Sequence, residues 1–139
     1  MELTAVALQT VAENQNVLFT DTVVDGCPSI VHRSGSGLVT LRGLTQQCRA
    51  RFKVSFGANI AIPTGGTVEA ISLAISIDGE PLASTTMIST PATVETFNNV
   101  FGAVYLNIPA GCCSTIAIKN TSDQPISVQN ANIIVERVA

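Results

Sequence analysis

Short runs of alternating apolar and polar residues, cut by turn-forming residues, fill this 139-residue chain, and no segment keeps a helical apolar repeat over three turns. The clearest run is Cys48 to Phe56, where Cys48, Ala50, Phe52, Val54 and Phe56 point one way and Arg49, Arg51, Lys53 and Ser55 the other. Leu38 to Arg42 alternates too, after the flexible Ser34-Gly35-Ser36-Gly37 turn, and is expected to neighbour that strand. Val68 to Ile77 follows Pro63-Thr64-Gly65-Gly66, and Asp78-Gly79 supplies the pair preferred by a type I′ hairpin, returning the chain through Leu82 toward Met87. Further strands are expected over Leu3 to Val11, Val17 to Val24, Val100 to Ile108, Ser114 to Lys119 and Val128 to Val138. About eight to ten strands at this spacing predict an all-β, antiparallel sandwich forming one domain over residues 1–139.

Such a sandwich has an outside to wet, and this chain has little charge to do it with. Only 12% of its residues are charged and 46% are hydrophobic, against roughly 25% charged in an ordinary soluble domain. Part of the exterior is therefore expected to be buried against copies of the same chain. Val100 to Ile108 is apolar on both sides, with Val104, Leu106 and Ile108 on one and Phe101, Ala103 and Tyr105 on the other. The closing strand repeats the pattern, Ile133, Val135 and Ala139 opposing Ile134 and Val138, and belongs in the middle of a sheet. Phe101, Ala103, Tyr105, Ile134 and Val138 are the expected subunit interface. The competing expectation is that Ser89 to Asn99 folds over the two aromatics within one chain.

A formal net charge of -3 argues against nucleic acid as a partner, since phosphate binding needs an excess of Lys and Arg. No run approaches the roughly 20 apolar residues that cross a bilayer, so no membrane partner is expected, and Met1-Glu2-Leu3-Thr4 puts no basic region ahead of its apolar run. Manufacture without a secretory signal is the expectation. The four cysteines, Cys27, Cys48, Cys112 and Cys113, have neither metal-knuckle spacing nor a disulfide framework, and buried free thiols are expected, the last two beneath the Pro109 to Gly111 turn.

Candidate chemistry is thin. The single histidine, His32, is expected at the surface beside a turn, and no nucleophile elbow surrounds Ser34 or Ser36. The ten acidic residues are scattered, and none forms a D-x-D-x-D-G calcium loop. No catalytic residue, cofactor or metal is expected. Arg42, Arg49, Arg51 and Lys53 are four of the seven basic residues within twelve positions, a row suited to docking on an acidic protein lattice or an anionic glycan, or else a solvated face that discourages edge pairing.

The order of elements resembles the jelly roll of the C1q and tumour-necrosis-factor superfamily. It rests on Val17-Leu18-Phe19 near the start, the pair Gly37 to Arg42 and Arg49 to Phe56, the hairpin at Asp78-Gly79 and the closing strand Asn130-Ala131-Asn132-Ile133-Ile134-Val135. The likeness spans essentially the whole chain, and in its bacterial and phage form resembles small trimeric domains of spore coats and phage particles. It implies a homotrimer packed around an aromatic-rich axis. The function expected from these readings together is a non-enzymatic virion protein of a phage or prophage, a trimer decorating the capsid with the major capsid protein as partner. The alternative expectation is a receptor-binding tip or tail-fibre module that recognises a cell-surface carbohydrate, with a groove lined by exposed aromatics. A spore or surface-layer protein is a third.

Overall fold

A computed structural model describes residues 1–139. In chain order the strands are β1 (Glu2–Ala5), β2 (Gln9–Val11), β3 (Asp21–Val24), β4 (Ile30–His32), β5 (Val39–Arg42) and β6 (Arg49–Ala61). They continue with β7 (Ile71–Ile77), β8 (Glu80–Pro81), a single 3-10 turn at Ala83–Thr85, β9 (Met87–Ser89), β10 (Asn98–Pro109), β11 (Cys113–Asn120) and β12 (Ile126–Arg137). All pairings are antiparallel. The first sheet runs β10-β6-β12-β1-β3, with β2 also on β12, and the second runs β4-β5-β11-β7-β8, with β9 on β7. The all-β sandwich expected from the alternation is what forms, with twelve strands because several are only two to four residues long.

The two sheets bury one continuous core. Ala50, Phe52, Val54, Phe56, Ala58 and Ile60 of β6 face Leu41, Ile71, Leu73, Ile75, Ile116 and Ile118 of the second sheet, and Phe19 meets Phe56 edge to face, ring centroids 6.2 Å apart. Where the sheets close on each other beside Met87, a Cβ on Gly102 would stand 3.1 Å from the Met87 sulfur, so glycine there permits the approach. Asp78 and Gly79 have φ of 49° and 88°, the left-handed pair a type I′ turn requires, and Ile77 pairs with Glu80 across it.

The closing strand lies in the interior of its sheet, β6 on one side and β1 and β2 on the other. Its register shifts between Gln129 and Asn132, where Asn130 takes φ 55°. This one-residue bulge reverses the parity of the strand: Ile126 and Val128 point inward before it, Ala131, Ile133 and Val135 after it. Asparagine tolerates the left-handed backbone that the bulge needs.

Several expectations are corrected. Leu38 to Arg42 and the strand after it are not sheet neighbours; β5 pairs with β4 and β11, β6 with β10 and β12, because the intervening loop crosses from one sheet to the other. Of the strand expected over Val17 to Val24 only Asp21–Val24 forms; Val17 and Phe19 are buried on either side of an exposed Leu18, the Val17 amide donating to Ile118 O and the Phe19 amide to Ser36 O, so core anchoring replaces a ladder there. All four cysteines are exposed, not buried. Each sits in or beside a connection at one end of the sandwich, and Cys48, inward by parity, precedes the first residue of β6 and so falls beyond the core. His32 is half-buried, its Nε2 2.8 Å from Ser36 O across the turn.

Asn120 is the polar residue on which one end of the sandwich depends. It is fully buried; its Nδ2 donates to Val11 O and Gln124 O, both at 3.0 Å, and its Oδ1 accepts from the Ser122 amide at 2.9 Å. It thereby joins β2, β11 and the turn before β12. Asn120→Leu removes the side-chain bonds and strands buried carbonyls, for an expected loss of about 3 kcal/mol, read from the midpoint of urea unfolding with slope unchanged.

Candidate functional site

The outward face of the first sheet carries the residues expected at an interface. Pairing of β10 with β6 sets Phe101 opposite Gly57, Ala103 opposite Ser55, Tyr105 opposite Lys53 and Asn107 opposite Arg51. Pairing of β6 with β12 continues the rows, Gly57 to Asn132, Ser55 to Ile134 and Lys53 to Glu136, and β1 adds Thr4 and Glu2. Cross-strand partners share a face, so Phe101, Ala103, Tyr105 and Ile134 form an apolar strip over small residues, bordered by charge. Val138 lies just past β12, its amide donating to Arg51 O at 2.9 Å. The five residues expected at an interface are thus gathered on one side of the molecule.

Phe101 is 66% exposed and Tyr105 62%. The Ser89 to Asn99 segment does not cover them; it runs instead over the junction of the sheets, where the Glu95 amide donates to Ile62 O at 2.7 Å. Because Gly57 has no side chain, the Phe101 ring lies 3.8 Å from where a Gly57 Cβ would stand, and this part of the face stays flat. Three polar pairs border the strip: Asn132 Nδ2 donates to Glu2 Oε2 at 2.6 Å, Arg51 Nε to Asn107 Oδ1 at 3.2 Å and Asn99 Nδ2 to Asn59 Oδ1 at 3.2 Å. Each aromatic buried on such a face contributes roughly 1.5 to 3 kcal/mol.

The basic row divides. Half-buried Lys53, directly opposite Tyr105, and Arg51, opposite Asn107, stand on the same face as the aromatics, and Arg49 ends that row. Arg42 is on the other sheet, opposite Cys113. Sequence spacing missed Arg137, which reaches the same loop end: its Nη1 donates to Leu44 O at 2.8 Å and lies 3.3 Å from Ser29 Oγ. At His32 the hydroxyls nearby serve the backbone. Ser34 Oγ donates to Thr20 O at 2.9 Å and Ser36 Oγ accepts from the Leu38 amide at 3.0 Å, so this cluster fastens a turn.

No family model matches the sequence, and no curated protein matches it either. Among solved structures, the chain is similar to the Eiger TNF of S. frugiperda, with a TM-score of 0.65 at 14% identity over 100% of this chain and 92% of that one. Murine APRIL at pH 5.0 gives a TM-score of 0.64 at 12% identity over 97% of each chain. The globular domain of a zebrafish complement 1qA protein gives 0.59 at 13% identity over 96% of this chain and 93% of that one. At these identities the likeness concerns the fold alone, and the fold is the antiparallel jelly roll of C1q and TNF domains.

Proposed function

We propose that this chain is a non-enzymatic structural protein that works as a homotrimer, with the face bearing Phe101, Ala103, Tyr105 and Ile134 turned to the threefold axis. The single observation that carries this reading is the pair of aromatics left open on a flat, apolar sheet face. A closed threefold ring is built from one repeated heterologous contact, part of each face against a different part of the next subunit's, and closure leaves no open edge for further growth. The trimer is also what the C1q and TNF-like fold implies.

The finer reading is that the trimer decorates a phage capsid, seated on the major capsid protein at local threefold positions, and resides in the virion. Arg51 and Lys53 lie on the face assigned to the axis, so attachment falls to the loop end with Arg42, Arg49 and Arg137. Charged groups at the rim of such a contact set its orientation and its salt dependence more than its affinity. The low overall charge suits a part that spends its life covered on several sides.

Phe101→Ser with Tyr105→Ser removes the two largest exposed side chains of the strip. The double variant is expected to sediment as a monomer at concentrations where the parent is a trimer, with an unchanged β-type far-ultraviolet circular dichroism spectrum; unchanged association contradicts the axis assignment. For the capsid role, co-expression with the major capsid protein encoded nearest to it should yield shells that carry the protein. Arg42→Glu with Arg49→Glu should weaken that attachment about tenfold, roughly 1.4 kcal/mol, and shells that never retain the parent protein contradict the assignment.

A further inference from the structure

The second sheet has a feature on its outward side that neither the trimer nor the capsid reading uses. A groove of about 520 Å³ opens there between the Asp78-Gly79 turn, the Asn14 to Asn16 segment and Leu38, a volume within the roughly 300 to 1,000 Å³ typical of small-molecule sites. Its floor is the cross-strand pair Ser76 and Ala117, which point away from the core yet are only 3% and 4% exposed. A buried floor on the outward face of a sheet marks a real concavity.

The chemistry of the lining narrows the ligand. Asp78 Oδ1 accepts from the Thr115 amide at 2.9 Å, which fixes the carboxylate and leaves its other oxygen for a guest. Lys119 Nζ donates one bond to Gly79 O at 3.2 Å, and an ammonium has three donors. Asn14 and Asn16 bring carboxamides, each both donor and acceptor. One acid and one base make the lining neutral overall, so an anion would meet Asp78 and a cation Lys119. Only two of the nine lining residues, Leu38 and Ala117, are apolar, too little for a hydrophobic or aromatic guest. A lining that offers both donors and acceptors, with two apolar residues among them, matches a ring that presents hydroxyls at its edge and C–H bonds on its face.

We infer that this groove binds a neutral mono- or disaccharide. The site is polar and without aromatics, unlike the aromatic groove that the sequence suggested for carbohydrate recognition. It lies on the sheet opposite the proposed axis, so it stays open whether or not the trimer forms.

Amide chemical shifts of the intact 15N-labelled protein, titrated separately with glucose, galactose, mannose, N-acetylglucosamine and lactose into the high-millimolar range, test the inference. At least one sugar is expected to give saturating shifts centred on Asn14, Asn16, Asp78, Thr115 and Lys119. Asp78→Asn keeps the acceptor for the Thr115 amide and tolerates the left-handed backbone, and Lys119→Met keeps the stem. Each should weaken binding about tenfold or more, with the remaining spectrum unchanged as proof of folding. Saturation by acetate but by none of the sugars, no saturating shift with any sugar, or unaltered sugar affinity in both variants overturns the inference. A monomeric parent that still binds sugar leaves it standing while removing the trimer.

Discussion

Phe101 and Tyr105 stand on a sheet face that no loop of their own chain roofs over, and the free energy of keeping such a strip from water organises everything proposed for this molecule. Two exposed aromatics are not unusual in themselves, since apolar atoms make up more than half of any protein surface. What singles them out is their setting. They flank Ala103 on β10, beside Gly57 and Ser55 of β6 and in line with Ile134 of β12, so the apolar atoms adjoin and the surface between them is level. A flat apolar face with a charged border is the anatomy of a subunit contact.

The fold makes that face possible through two local devices. The bulge at Asn130 reverses the parity of β12, so Ile126 and Val128 fill the core at one end while Ile134 is turned outward at the other. Without the inserted residue, one half of the strand would expose its apolar side. Asn120 then fixes the opposite end by joining three segments through buried hydrogen bonds, which keeps β12 in register between β6 and β2. Core packing and the shape of the aromatic face are therefore coupled through one central strand.

Much of this was legible in the alternation. β6 and the hairpin at Asp78-Gly79 declare themselves because period two and type I′ chemistry are local properties, as does the outward direction of Phe101, Ala103 and Tyr105. What failed depended on long-range placement. Val17 and Phe19 are as buried as strand residues, but their amides reach two different segments, so burial without pairing imitates a strand. The cysteines carry the composition of a core and the position of a loop. Arg42 and Arg49 are close in sequence and part onto different sheets, whereas Arg137 arrives from the far end of the chain. The groove was invisible for the same reason: its Asn14 and Asn16 belong to one connection, its Asp78 and Gly79 to a turn of the other sheet.

The most direct test of the central claim is the mass of the intact protein under native conditions, followed through serial dilution into the low-micromolar range. A species of three 14.5 kDa chains that survives dilution is the predicted result. A stable, soluble monomer throughout would show that water is tolerated on the aromatic face and would contradict the account.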